Sequence, residues 1–372
     1  MDKFDFIASF YKDHHTREGF IRRIDSLLIS ENLSAIAIPF GSYIKPKEIF
    51  AKIMKLSRKN KLISENEGIQ LYELAYKFKE GNHEKEASGR FFIYEPSEYK
   101  NVYVAITIAG SNFYRRALLP FIQSLYPKVI LTFITHKKLR KLLDDFQIKY
   151  QFKKLVITRA SYRLRFEEEE KSEKIVPMVS WPNMDLKEAF DWVYQNNGWF
   201  QSLQFRAKGD SLYGTRISFT RQGITQADGL FQKAFDSFVM PVCKTIYENI
   251  EFFGKRSRRE NKDLQARPLI IDFGTDQFQD VSENKKFIQA IRRLRTASTS
   301  VLHGNPYIHM SVIDYFDGST FDLWVLNSKQ LFIVPQMKGT IAGIKRLISH
   351  IFDSYAEGEI KDYSEDLDGT SK

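Results

Sequence analysis

The stretch VILTFITHKKLRKLLDDFQIKYQFKKLVITRASYRLRF, residues 129–166, decides how this chain reads. It opens on an apolar, β-branched run of strand length, Val129 to Thr135. Lys137 to Phe146 then sets Leu139, Leu142, Leu143 and Phe146 at helical steps. From Phe152 to Thr158 the pattern is again a strand, continuing by alternation to Phe166. Arg159, Ser161, Arg163 and Arg165 take one face of that strand; Ala160, Tyr162, Leu164 and Phe166 take the other.

Upstream, Arg90 to Tyr94 and Val102 to Ile108 read as strands, and Phe113 to Leu125 as a helix closed by Pro127. Strands and helices alternating in this way predict an α/β or α+β fold with a mostly parallel or mixed sheet. The first 80 residues read as a helical segment. Phe20, Ile21, Ile24, Leu27 and Leu28 form one stripe, Pro46 begins a second helix, and Ile69 to Phe78 look helical too. With Lys45, Lys47, Lys52, Lys55, Arg58, Lys59 and Lys61 on it, this segment reads as a helix-turn-helix module or a small cap. The polar run Gly81 to Gly89 is expected as a linker.

The expected organisation is therefore a helical segment at 1–80, a basic α/β unit at 90–166, a C-terminal α/β unit at 177–356 and an acidic tail at 357–372. In the C-terminal unit, Ser202 to Ala207 and Thr215 to Thr220 read as a hairpin. Gln232 to Phe252 reads as a long helix that Pro241 should kink or split. Tyr307 to Phe316, Phe321 to Leu326 and Leu331 to Val334 read as a three-stranded meander, and Thr340 to Tyr355 as the closing helix.

Charge gives the strongest functional signal. Arg115, Arg116, Lys128, Lys137, Lys138, Arg140, Lys141, Lys149, Lys153, Lys154, Arg159, Arg163 and Arg165 crowd one segment, opposed there by Asp144 and Asp145 alone, in a chain of net charge +10. Concentrated positive charge predicts a polyanionic partner, nucleic acid first and an acidic protein second. Cations in the first turn of a helix oppose its dipole, so Lys137, Lys138, Arg140 and Lys141 are not explained by stability. Arginines two apart on a strand face stand about 6.5 Å apart, suited to a run of phosphates. Lys255, Arg256, Arg258 and Arg259, with Arg292, Arg293 and Arg295, offer a second contact. Glu167 to Glu170 read as a solvated loop or as a flap competing for the basic surface.

Catalytic signals are weaker. Asp314 interrupts an apolar strand face, Asp322 lies on the next strand, and Gln336 and Lys338 close the third. Metal-dependent nucleases of the restriction type bring an acid and a glutamine–lysine pair together at adjacent strand ends, so this reading would use Mg²⁺ or Mn²⁺. Without it no cofactor is expected. Asp272, Asp276 and Asp280 form a second acidic group. The seven histidines show no ligand spacing, and phosphate-loop and dinucleotide motifs are absent.

Composition bounds the rest. Phe, Tyr and Trp number 31, 18 and 4, ample for a folded core. The single Cys243 follows an apolar run and reads as a buried thiol in a reducing compartment. No run approaches the roughly 20 apolar residues of a membrane span. The expectation is a cytoplasmic nucleic-acid-binding protein, an accessory or sensing component, with a nuclease and an interaction scaffold as the alternatives.

Overall fold

The computed structural model describes residues 17–42, 45–56, 59–66, 68–164, 175–196, 198–208, 216–257 and 267–363. The chain forms two compact units, Met1–Tyr247 and Glu248–Lys372. No described helix is long and apolar enough to cross a membrane.

The first unit runs α1 (Arg17–Glu31), β1 (Ala35–Ser42), α2 (Pro46–Leu56), β2 (Lys61–Asn66), β3 (Ile69–Glu80), β4 (His83–Tyr94) and β5 (Val102–Thr107). Helix α3 follows in three pieces, Ser111–Phe113, a π-helical Tyr114–Leu118, and Leu119–Ser124. Then come β6 (Val129–Leu131), α4 (His136–Lys149), β7 (Lys154–Leu164), β8 (Ile175–Asp185), α5 (Leu186–Gln195), β9 (Gly198–Lys208), β10 (Arg216–Thr220) and β11 (Thr225–Ala227). Helix α6 is again tripartite, Phe231–Ala234, a π-helical Phe235–Val239, and Met240–Gly254, its residues from Glu248 on counting with the second unit.

All eleven strands join one sheet, ordered β2-β3-β4-β5-β1-β11-β10-β9-β7-β8, with β6 beside the end of β1. Every pairing is antiparallel. The class is thus α+β, and the expected parallel or mixed character is corrected. Hairpins replace the crossovers a parallel sheet would need. The supposed linker is one of them. Glu80 pairs with His83 around a two-residue turn in which Gly81 has φ +63°. Residues 69–78 are strand rather than helix. Both faces of β3 are covered there (Leu71 and Tyr72 are each 1% exposed), so the sequence lacks alternation and mimics a helical stripe. With β1 between α1 and α2, the helix-turn-helix reading of the first 80 residues does not hold for the described part.

Proline acts as expected in one sense and not in another. Helix α6 is not broken at Pro241. Instead Met240 N–H bonds to Phe235 C=O, five residues back. Leu119 before Pro120 does the same to Tyr114. A proline clashes with the carbonyl four residues earlier; in both helices a widened turn lies just ahead of it.

The sheet is layered unequally. Over its first half, Ile36, Ile38, Phe40, Tyr72, Phe91, Ile93 and Tyr103 pack against Ile49 and Ile53 of α2 and Phe113, Ala117 and Phe121 of α3. Gly89 permits this approach, since a Cβ there would stand 2.7 Å from the Phe113 ring. The reverse face carries Phe92 and Tyr94, whose rings lie 5.1 Å from Phe20 of α1 and 5.7 Å from Phe235 of α6. Over the second half the reverse face is covered too: Phe205 and Phe219 meet Phe146 of α4 and Phe238 of α6. The first face, continued across β11, β10, β9 and β7, has no helix on it among the described residues.

The second unit holds β12 (Leu269–Asp272), α7 (Val281–Arg292), β13 (Ala297–His303), β14 (Ile308–Asp314), β15 (Thr320–Val325), β16 (Gln330–Pro335), α8 (Ile341–Ser354) and β17 (Glu359–Asp362). Its sheet order is β13-β14-β15-β16-β12-β17. The meander and closing helix stand where the sequence placed them. The described part of the tail forms β17, which pairs with β12 from Leu269–Asp362 to Asp272–Glu359.

Candidate nucleic-acid interface

The uncovered sheet face is built by simple alternation. On β9, Leu203, Phe205 and Ala207 are buried, which turns Ser202, Gln204, Arg206 and Lys208 to the other side. On β10, Ile217 and Phe219 go inward and Arg216, Ser218 and Thr220 outward. Register joins these rows. Gln226 opposes both Ile36 of β1 and Ser218, Ser218 opposes Gln204, and Gln204 opposes Arg159. This face is therefore the continuation of the one that α2 and α3 cover further along.

Its chemistry is mainly polar, the exception on β7 being Val156, which lies opposite Arg206 and is buried. Ser161 and Ser202 share a 2.6 Å hydrogen bond, Gln204 Nε2 donates to Ser218 Oγ at 3.2 Å, and Thr158 Oγ1 donates to the Gln204 carbonyl at 3.2 Å. Cations gather at one end. Arg206 stands directly opposite Arg216, and Lys154 directly opposite Lys208. Like charges facing each other across strands are destabilising. Two carboxylates offset part of this, Asp228 at 2.8 Å from Arg216 and Asp185 at 3.4 Å from Lys154. Arg159, Arg206 and Lys208 are exposed and have no ion pair among the described residues. The whole chain's excess charge belongs to this unit: it holds 39 Lys and Arg against 28 Asp and Glu, and the second unit holds 17 against 18.

The sequence-predicted basic residues do not form one surface. Arg115 is exposed on α3, while Arg116 bonds Glu80 at 2.6 Å and lies over Phe78. Lys137, Lys138 and Lys141 belong to α4, on the reverse face from Arg159. Arg140 is structural, reaching Asp191 of α5 at 3.3 Å. Thr135 caps this helix by accepting from the Lys138 N–H. Lys153 is exposed beside Lys154, Arg163 is half-buried opposite Trp199, and Arg165 lies outside the described residues, as do Glu167 to Glu170. In the second unit Arg256 is not a surface contact. It is 3% exposed, pairs with Asp362 at 2.7 Å, donates to the Phe252 carbonyl and stacks on the Phe252 ring. Lys255, Arg292, Arg293 and Arg295 are exposed; Arg258 and Arg259 lie outside the described residues.

The proposed catalytic group does not converge. Asp314 is buried on the helix-covered face of its sheet, 3.6 Å from Arg346 of α8, and burial raises its carboxyl above the usual range. Asp322 sits opposite Ser311 on the other face, where it accepts from Ser311 at 2.6 Å and from Gln336 at 2.7 Å. Asp322 and Gln336 thus meet, Asp314 is turned away from them, and Lys338 is exposed beyond the strand. Asp272 pairs with Lys361, Asp276 accepts from Ser328, and Asp280 caps α7 through the Glu283 N–H. Among the described residues no three His, Cys, Asp or Glu side chains are grouped to hold a metal. Cys243 is buried, as expected.

Arg206, Lys208 and Arg216 escaped the sequence reading, although its hairpin contained their signal. A strand written Leu203-Gln-Phe-Arg-Ala-Lys208 puts both cations on one face, and pairing it with the next strand brings Arg216 opposite. Comparison with family models gives no match, and comparison with curated proteins gives none either.

Proposed function

We propose that this chain binds nucleic acid through the open face of β7, β9 and β10, with Lys154, Arg159, Arg206, Lys208 and Arg216 touching the phosphate backbone. The observation carrying this reading is the opposition of Arg206 to Arg216 beside that of Lys154 to Lys208. A fold gains nothing from such pairs, which cost about 0.2–1 kcal/mol each, whereas a phosphate between them removes the repulsion. The face also carries hydroxyls and amides, which bond backbone oxygens equally well. It offers no exposed aromatic ring among the described residues on which an unpaired base would stack, so contacts to backbone rather than bases dominate.

Five such contacts give a log affinity that falls with log salt at a slope on the order of −4. The test is a fluorescence-anisotropy salt series on duplex and single-stranded DNA and RNA, with wild type and an Arg159→Ala, Arg206→Ala, Lys208→Ala triple variant. The variant should bind more weakly to every probe, and its slope should shrink by roughly 3. An unchanged slope overturns the site. Absence of binding by the wild type at low salt overturns the function and favours an acidic protein partner.

A further inference from the structure

Besides the three-residue β6, which pairs with β1 alone, the two sheets end in four edge strands, and three of them are guarded. Strand β2 carries Lys61 and Glu65, β8 carries Pro177 and Pro182 in its sequence, and the four-residue β17 carries Glu359, Lys361 and Asp362. Charges, prolines and shortness are the devices that stop an edge from recruiting another strand. The fourth edge, β13, reads Ala-Ser-Thr-Ser-Val-Leu-His over residues 297–303, with no charge and no proline.

Its unused hydrogen-bonding groups can be named. Tyr315 N–H bonds to Thr296 C=O, and the register pairs Ser298 with Ile313 and Ser300 with Ser311. By the alternation of an antiparallel ladder, Ser298 and Ser300 bond towards β14, and Thr299 and Val301 turn N–H and C=O to the open side. No partner meets them there among the described residues.

We propose that β13 pairs antiparallel with β13 of a second copy of this chain, around a two-fold axis at Ser300. The sequence of β13 permits self-pairing, since about Ser300 no charged residue of the strand faces another, and the charges beside it set the direction. Arg292, Arg293 and Arg295 stand just before it, exposed. Parallel pairing would set the two arginine groups about 4.8 Å apart across the joint. Antiparallel pairing about Ser300 separates the two Arg295 residues by roughly 34 Å, far beyond a screening length of about 8 Å. Thr299 then meets Val301 of the second copy, a β-branched pair suited to a ladder.

Ser300 is exposed and faces away from the helices, so Ser300→Lys and Ser300→Glu should both fold. Light scattering on a dilution series should show the wild type shifting from one to two chain masses with concentration. Each variant alone should dimerise at least about threefold more weakly, and an equimolar mixture of the two should recover the dimer. Thr299→Pro, which deletes an outward N–H, should be monomeric. A wild type that stays monomeric at every concentration overturns the proposal, as does a dimer that Thr299→Pro and Ser300→Lys leave intact.

Discussion

Arg206 of β9 and Arg216 of β10 face each other as direct cross-strand neighbours on the uncovered side of the first unit's sheet. Arg216 has Asp228 at 2.8 Å; Arg206 is exposed and has no ion pair among the described residues. Replacing Arg206 by threonine removes the repulsion and keeps a good strand former. The variant should be as stable as the wild type or more so, by up to about 1 kcal/mol. It should nevertheless bind nucleic acid more weakly, with a salt slope smaller by about 1. Thermal melts and a salt series on one preparation decide this. Loss of stability together with loss of binding would mean that Arg206 serves the fold.

Arg256 gives the opposite signature. Its guanidinium is buried between the Phe252 ring and the Asp362 carboxylate, and that pair ties β17 to the start of the second unit. Arg256→Ala should cost about 2–3 kcal/mol, below the full penalty for breaking a buried pair because Asp362 is partly solvated. Affinity for nucleic acid at a temperature where the variant remains folded should not change. Chemical denaturation gives the first quantity and anisotropy the second.

His136 sets an acid limb. It lies in the first turn of α4 against the Phe190 and Phe200 rings, with centroids at 4.6 and 5.8 Å. Burial lowers its pKa to about 4, and the positive charges of Arg221 and Arg140 push the same way. In the unfolded chain it titrates near 6.5. Between those values the unfolded state holds the extra proton, so stability rises with pH there. The contribution is complete above about 6.5 and is lost as pH falls towards 4. Its full size is on the order of 3 kcal/mol. His136→Phe should flatten the stability profile between pH 4 and 6.5 relative to wild type. An unchanged acid limb would show that other groups set it.

How far the fold could be read in advance depended on where each strand is covered. The second unit's meander and α8, and the strand–helix–strand of β6, α4 and β7, were legible because helices cover one side and leave the other polar. The period then survives in the sequence. Strand β3 was not legible, because both of its sides are covered and Ile69, Leu71, Tyr72 and Leu74 are all buried. The basic site was half legible. Arg159 was correctly placed on an outward strand face, but a run of cations in sequence says nothing about which side of a sheet each element occupies. Helix α4 carries Lys137 and Lys141 to the reverse side, and of the cations that join Arg159 only Lys154 is from its own strand, while Arg206, Lys208 and Arg216 come from a hairpin some 50 residues further on. Arg256 misled for a related reason, since a cation within a basic run can still be the buried one.

Asp314 and Asp322 lie on opposite faces of one sheet, which yields a metal prediction. Asp322→Asn keeps a group that can accept from Ser311, so the variant should fold. Nucleic-acid affinity should be the same in EDTA and in Mn²⁺, and the probe should stay intact with both wild type and variant. Cleavage by the wild type that is lost in Asp322→Asn would restore the nuclease reading around Asp322 and Gln336. A gel of labelled probe after prolonged incubation is sufficient.

The two sides of the first unit's sheet separate the two basic groups, so they can be tested against each other. Lys137 and Lys141 are exposed one turn apart on α4, and Arg159, Arg206 and Lys208 occupy the uncovered face. A rigid probe of about ten base pairs can lie along one side and cannot touch both. Lys137→Ala with Lys141→Ala should therefore leave the affinity for such a probe within about twofold of wild type. Loss of the three cations on the open face should lower it by at least tenfold at low salt, since each phosphate contact contributes its own counterion release. The reverse result, with the α4 lysines dominant, would move the interface to the helical side and leave the Arg206–Arg216 opposition without a function.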